Sequence, residues 1–182
     1  MMIPNRKSIR LAGYDYADAG LYFLTICVND KKQAIFGKIE NSVALLNSIG
    51  RIAERCWLEI PQHFKNVVLH EYVIMPNHIH GIIELVGANN HSSENDNRQN
   101  SHENVKKWEN IADEKCFAPT GTSRTIGSIV RGFKIGVTKQ LGYSIWQRNY
   151  FEHIVRSADD YIRISTYIAQ NPQKWADKQL NK

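Results

Sequence analysis

Two histidines in alternate positions, His78 and His80, lie within the segment Met75–Glu84, directly after a Pro-Asn pair and inside an apolar run. In a β-strand, side chains two residues apart project from the same face of the sheet. The two imidazoles are therefore expected to point together, with Ile79 and Gly81 on the opposite face. Two imidazoles side by side on a sheet form half of a metal site.

The last amphipathic segment offers candidates to complete that site. Tyr167 and Asn171 are four residues apart, so on a helix they project from the same side. Facing two metal-bound histidines, they would form a site for phosphodiester cleavage, in which the metal polarises a phosphoryl oxygen and the tyrosine attacks phosphorus. The pattern leaves alternatives open, because Tyr167 could be a core tyrosine, and Tyr150 and Tyr161 are rival nucleophiles.

The elements that must position these residues mix strands and helices. Hydrophobic periodicity and capping residues predict an α+β sandwich, with helices packed on an antiparallel sheet. Whether the segments before and after Pro76-Asn77 form a hairpin or one bulged strand is not decided by the sequence. The predicted order is strand 21–28, strand 37–45, helix 47–60, strands 67–75 and 78–86, helix 126–141, a short strand within 146–156, and a last helix 157–170.

Length and composition predict a single domain spanning residues 1–182. The expected localisation is cytoplasmic, in association with the nucleoid. No apolar run approaches the roughly 20 residues that span a bilayer, so no membrane association is expected. The N-terminal residues lack the apolar core of a signal peptide. The three cysteines are far apart in the sequence and are interpreted as free thiols of a reducing compartment. The polar segment 87–118, which contains seven asparagines, is predicted to be a mobile surface insert.

Positive charge is concentrated in one part of the chain. The net charge is +5, and residues 120–151 contain five Lys or Arg but no Asp or Glu. Such a block favours a polyanion such as nucleic acid, although a solvated helix face is the alternative. The candidate phosphate contacts are Arg124, Arg131, Lys134 and Arg148, and the candidate base-stacking residues are Trp146 and Tyr150, with core packing as the alternative for Trp146.

Three separated segments, 73–83, 145–156 and 167–172, resemble the HUH-type single-tyrosine transposases, most closely the REP-associated tyrosine transposase branch. The resemblance implies a ferredoxin-like or RRM-like fold that cuts single-stranded DNA beside hairpins, using Mg²⁺ or Mn²⁺. It also implies that His78 and His80 bind the metal and that Tyr167 is the nucleophile, leaving a 5′-phosphotyrosine link. Asn171 takes the place of a third polar ligand, where related enzymes often have Gln.

The function expected from these observations is a metal-dependent single-strand DNA endonuclease and strand-transferase. Two alternatives stay open: a catalytically silent module that binds hairpin nucleic acid, and a metal phosphodiesterase that uses water. The sequence does not decide between a monomer and a homodimer in which the tyrosine helix of one subunit completes the other's site. We favour the homodimer as the expectation.

Overall fold

The computed structural model describes residues 18–87 and 124–180, so the predicted insert 87–118 lies outside the described residues apart from Gly87. No helix within the described ranges is long and apolar enough to cross a membrane. The elements are β1 (Gly20–Cys27), β2 (Gly37–Glu40), β3 (Val43–Leu46), α1 (Ser48–Leu58), α2 (Ile60–His63), β4 (Val67–Met75), β5 (His78–Leu85), α3 (Ile126–Leu141), β6 (Phe151–Val155), α4 (Ala158–Ala169) and α5 (Asn171–Leu180).

In the described ranges the main sheet has four antiparallel strands in the order β4-β5-β1-β6. Because α1 lies between β1 and β4 in the chain, and α3 between β5 and β6, the sheet and these helices follow the β-α-β-β-α-β order of ferredoxin-like folds. The predicted α+β fold with an antiparallel sheet and packed helices is therefore confirmed. β1 and β5 are the two central strands, with a paired strand on each side. They are therefore the most protected strands of the sheet for a functional site.

Helices cover both faces of this sheet. Alternate residues of β1 point to opposite faces, as the pleat requires. Tyr22, Leu24 and Ile26 join the larger core beneath α1 and α3, whereas Phe23 joins a smaller core beneath α4. The smaller core is completed by Ile82, Val155, Ile164 and Ile168.

Glycine at position 81 lets α1 approach the sheet beside the histidine segment. A Cβ on Gly81 would lie 2.4 Å from Cζ2 of Trp57, whose side chain is fully buried. The Trp57 ring has no room to move in a close-packed core. Ile79 also faces this core, so both residues lie opposite the histidines, as predicted.

We expect Gly81→Ala to lower the free energy of unfolding by about 1–3 kcal/mol, because it overpacks the core against Trp57. Urea denaturation measures the change. Gly87→Ala is the matched control, since among the described residues its Cβ would meet Ala19 alone, at 3.7 Å, an ordinary contact. Equal midpoints for the two variants would show that Trp57 does not restrict position 81.

The predicted strand 37–45 is wrong as a single element. It is a hairpin of β2 and β3, paired antiparallel with Glu40 opposite Val43. Asn41 and Ser42 have φ of 49° and 61°, which is the backbone of a two-residue hairpin turn. Asn tolerates positive φ better than most residues, so the turn forms where the sequence has no glycine.

Prolines lie in the first turn of two helices that begin at or just after the predicted ends of helices 47–60 and 157–170. Pro61 lies in the first turn of α2, and Pro172 follows Asn171 in the first turn of α5. A proline is tolerated there because the N–H that it lacks would have no partner within the helix. The chain thus contains a further helix, α5, after the predicted last one.

The remaining helix predictions are confirmed. Asn47 caps α1 by accepting a hydrogen bond from the Gly50 N–H, and Ser157 caps α4 by accepting one from Asp160. α3 spans the predicted residues and ends at Gly142, which has φ of 79°. The short strand is β6 alone, and Trp146 forms only an isolated bridge with Val28.

Candidate metal and nucleophile site

The two histidines lie on β5, at the sheet end where β4 turns into β5. The open choice between a hairpin and one bulged strand is resolved in favour of the hairpin, with Met75 paired to His78. Backbone hydrogen bonds hold its turn, from Val28 N–H to the Asn77 carbonyl (3.1 Å) and from Phe36 N–H to the Pro76 carbonyl (2.9 Å). The turn is therefore rigidly attached to the neighbouring segments.

The imidazoles of His78 and His80 converge on one point. Their Nε2 atoms are 3.0 Å apart and their ring centroids 4.5 Å apart. Two neighbouring ligands of an octahedral ion, each about 2.1 Å from it, would be separated by roughly this distance. The pair is thus spaced as two adjacent ligands of one cation.

Asn77 fixes the orientation and tautomer of His78. Its side-chain amide donates to the Lys31 carbonyl, which directs its Oδ1 toward the ring, and His78 Nδ1 lies 2.7 Å from that oxygen. An amide oxygen only accepts, so Nδ1 carries the proton and Nε2 presents a lone pair. Ligand histidines commonly donate their other N–H to a carbonyl in this way.

His80 is held by strand β1. Its Nδ1 lies 2.9 Å from the Thr25 hydroxyl. The imidazole ring also forms a hydrogen bond with the backbone of Leu24. The Phe23 ring stacks against the imidazole at 5.4 Å between centroids. In the tautomer that carries its proton on Nδ1, the Nε2 lone pair of His80 is also free to bind a cation.

Burial keeps both imidazoles neutral at physiological pH. Burial, reinforced by the positive charge of Lys31, lowers the pKa of His78 to about 4. Burial, reinforced by His78, lowers the pKa of His80 to about 3, against a smaller raising effect of the Leu24 hydrogen bond. Neutral imidazole is the form that binds metals.

Tyr167 reaches this pair from α4. Its hydroxyl lies 3.3 Å from His80 Nε2, and its ring centroid lies 5.2 Å from that of His80. The neighbouring Ile164 and Ile168 are buried in the smaller core, whereas Tyr167 is 39% exposed. Tyr167 therefore lies at the rim of the core with its hydroxyl directed at the histidines of its own chain.

The rival tyrosines are engaged elsewhere. The Tyr161 hydroxyl donates to Glu71 (2.8 Å) and lies 3.2 Å from His70 Nδ1. Burial and the hydrogen bond to Glu71 raise the pKa of the Tyr161 phenol, which makes this hydroxyl harder to deprotonate. Tyr150 packs against the larger core on the other face of the sheet.

A bulge in β4 connects α4 to the sheet. The pairing register of β4 shifts between Leu69 and Tyr72, which leaves His70 and Glu71 outside the regular ladder. Glu71 accepts hydrogen bonds from Tyr161 and, at 3.3 Å, from Ser165. We call His70, Glu71, Tyr161 and Ser165 the α4 clasp.

Asn171 does not lie on the same helix as Tyr167. α4 ends at Ala169, Gln170 is its cap, and Asn171 is the first residue of α5 with only 7% of its surface exposed. The expectation that the two residues lie on one continuous helix is therefore wrong. The assignment of Asn171 as a metal ligand stays a prediction.

Three residues that were not predicted from the sequence lie at the site. Lys174 Nζ is 5.5 Å from the centre of the Tyr167 ring, and the Trp175 ring lies 5.8 Å from that of His78. Lys31, whose carbonyl orients Asn77, places a positive charge near His78. Lys174 and Trp175 belong to α5, which was not predicted, and Lys31 lies in a loop whose sequence carries no motif.

The protein ligands at this site fit a cation that has several coordination positions left for other ligands. Within residues 18–87 and 124–180, no three His, Cys, Asp or Glu side chains are grouped to hold a metal. Two imidazoles must therefore be supplemented by amide oxygen, water or substrate. Imidazole binds Mn²⁺ more readily than Mg²⁺, which prefers an all-oxygen shell.

Asn77→Ala should weaken metal binding about 10- to 100-fold, because His78 loses the acceptor that fixes its tautomer and ring orientation. Titration calorimetry with Mn²⁺ measures the affinity. Asn149→Ala, at an exposed residue of another loop, is the control. Unchanged affinity in Asn77→Ala would mean that His78 is oriented without the amide.

The candidate DNA contacts lie mostly in one groove. It has a volume of about 610 Å³ and runs along α3 and the loop before β6. Arg124 is not among its lining residues, which include Arg131, Lys134, Trp146, Arg148 and Tyr150, together with Lys139.

Two of these residues are already engaged within the protein. Lys134 Nζ donates to the carbonyls of Gln147 (2.8 Å) and Asn149 (3.2 Å), and burial lowers its pKa. Trp146 is 8% exposed and donates from its indole to the Lys134 carbonyl. The core-packing alternative is therefore observed for Trp146, whereas Arg131 and Arg148 are exposed to solvent.

The fold resembles that of a known class of DNA-processing protein. A solved structure of a REP-associated tyrosine transposase bound to a REP hairpin matches 85% of this chain and 67% of its own, with a TM-score of 0.55 and 17% identity. The chain therefore has the transposase fold. No family model matches the sequence.

Sequence comparison places the chain in a family. An uncharacterised protein of Haemophilus influenzae is 41% identical, over 98% of this chain and 94% of its own length, and this chain belongs to the same family. A candidate REP-associated tyrosine transposase of the same organism is 26% identical, over 88% of this chain and 74% of its own. These similarities relate the family to the transposases.

Proposed function

We propose that this protein is a metal-dependent endonuclease and strand-transferase that acts on single-stranded DNA beside hairpins, in the manner of the REP-associated branch of the HUH tyrosine transposases. The observation that carries the proposal is the Tyr167 hydroxyl, 3.3 Å from one of two convergent imidazoles. The solved relative was bound to a REP hairpin, which supports hairpin DNA as the partner.

In the proposed reaction the Tyr167 oxygen attacks the scissile phosphorus, and the bond from phosphorus to the 3′ oxygen breaks. The phenol loses its proton and the departing 3′ oxygen gains one, so the products are a 5′-phosphotyrosine and a free 3′-hydroxyl. His78 and His80 would hold Mg²⁺ or Mn²⁺, with Asn171 as the proposed third ligand. A bound divalent cation polarises the phosphoryl oxygen and stabilises the charge that develops on it.

The protein's own groups assist this step in two ways. The buried Phe23 ring contacts both His80 and Tyr167, at 5.4 and 6.1 Å between centroids. These contacts hold the two rings in position relative to each other. The Lys174 ammonium, above the Tyr167 ring, is placed to pair with the anionic phosphate. The 5′-phosphotyrosine conserves the energy of the broken phosphodiester bond. A 3′-hydroxyl that attacks this phosphotyrosine therefore rejoins the strand.

The test uses hairpin-bearing single strands taken from the flanks of the gene, with Mn²⁺ or Mg²⁺. We expect a protein–DNA adduct on a denaturing gel that forms only when the metal is present. Cleavage without an adduct would favour the water-using phosphodiesterase. Binding without cleavage, for every flanking DNA strand and both metals, would favour the binding module. The basic groove along α3 supports this alternative.

We further propose that one chain can carry out the cleavage. The tyrosine and the histidines of the proposed site belong to the same chain, so a partner is not needed to complete the contact between them. Analytical ultracentrifugation combined with activity at low concentration distinguishes this from the expected homodimer with exchanged helices.

A further inference from the structure

We infer that Phe151 is a stacking site for the nucleobase adjacent to the scissile phosphate, an inference that rests on the proposed function. Phe151 begins β6, which is the edge strand of the sheet that the described residues form, and 55% of its surface is exposed. A phenylalanine so exposed at a sheet edge is a liability unless something covers it.

Phe151 lies on the face that carries the histidines. Along β6, Val155 joins the smaller core beneath α4, and His153 bonds to Asp160 of that helix at 2.8 Å. Alternation along the strand places Phe151 on the same face. Its position opposite Thr25, which bonds to His80, confirms this placement.

A short row of rings connects Phe151 to the tyrosine. The Phe151 ring meets Phe23 edge-on at 6.3 Å between centroids. The same Phe23 ring contacts Tyr167 at 6.1 Å and His80 at 5.4 Å. A base stacked on Phe151 would therefore lie next to the reacting phosphate.

The basic groove begins on the other side of the same strand. Tyr150, the preceding residue, lines the groove with Arg148, and Lys134 Nζ lies 5.9 Å from the Tyr150 ring centre. Residues 150 and 151 thus connect a positively charged groove to the candidate nucleophile. This charge favours a nucleic-acid strand over an apolar protein segment as the occupant.

The experiment monitors stacking separately from cutting. Hairpin-bearing single strands carry 2-aminopurine at successive positions beside the hairpin and are bound by the Tyr167→Phe protein, which cannot form the phosphotyrosine. We expect fluorescence quenching at one flanking position. Adding Phe151→Ala should remove this quenching and weaken binding about 5- to 150-fold, the range for loss of one base–aromatic stack. Phe151→Tyr should restore both.

Ile162→Ala is the matched control, because Ile162 is equally exposed (61%) on the outer side of α4, and we expect it to change neither signal. Quenching and affinity unchanged in Phe151→Ala would overturn the inference, even where the wild-type protein forms its DNA adduct. A Phe151-dependent shift in sedimentation with no change in quenching would also overturn it, in favour of a second copy at this edge. Phe151-dependent quenching without any wild-type adduct would support the stacking site and count against the proposed reaction.

Discussion

Replacing Tyr167 by phenylalanine should abolish the covalent adduct and reduce cleavage of hairpin-bearing DNA by about 10³-fold or more, because the variant lacks the attacking oxygen. The ring contacts with Phe23 and His80 need only the phenyl group, so the fold should persist. Binding of hairpin DNA should also persist, because the basic groove lies on the other face of the sheet. Denaturing gels measure the adduct, and filter binding measures the affinity.

Tyr161→Phe is the control for this experiment, because Tyr161 lies on the same helix but bonds to Glu71 rather than to the histidine pair. We expect this variant to form the adduct. Any decrease in its rate would come from the loss of the Tyr161–Glu71 hydrogen bond, which helps to hold α4 in place. An adduct that survives Tyr167→Phe but disappears in Tyr161→Phe would move the nucleophile to Tyr161. That result would require α4 to rotate relative to the sheet.

Loss of His80 should have the second large effect. His80→Ala removes one of two convergent Nε2 atoms and the imidazole stacked on Phe23. Electrophilic assistance by a bound cation contributes several kcal/mol to such reactions, so cleavage should fall about 10³-fold. Chelation of the metal in the wild-type protein should give a similar loss. Rates of cleavage, together with calorimetric titration of Mn²⁺, measure both effects.

His63→Ala is suited as the control, since His63 is an exposed residue of α2, away from the sheet end that carries His78. It should retain metal affinity and cleavage. If His80→Ala cleaved as fast as wild type while binding Mn²⁺ normally, the histidine pair would not be the metal site. If metal affinity fell while the rate was unchanged, the cation would be structural rather than reactive.

The parts of the site that follow from local rules could be predicted from the sequence. A period of two placed His78 and His80 on one face, and helical spacing gave the buried face of α3. Capping chemistry located the starts of α1 and α4. In each case neighbours in the sequence determine the geometry, so no knowledge of distant contacts was needed.

What failed depended on context that the local pattern does not contain. A proline disfavours a helical conformation of the residue before it, but it is well suited to the first turn of a helix. Pro61 and Pro172 are therefore compatible both with the end of one helix and with the start of the next. The turn at Asn41-Ser42 was missed because no glycine marks it. Lys174 and Phe151 come to the site only through tertiary packing, which periodicity does not report.

The α4 clasp has a kinetic consequence. Glu71 receives two hydrogen bonds from α4, and Ile164 and Ile168 are buried beneath the same helix. Moving the tyrosine helix to another molecule would break these contacts before equivalent ones could form. Exchange of α4 between copies should therefore be slow, and activity per molecule should not decline as the protein is diluted. A protein present in few copies per cell could then act at a single genomic hairpin without waiting to meet a second copy.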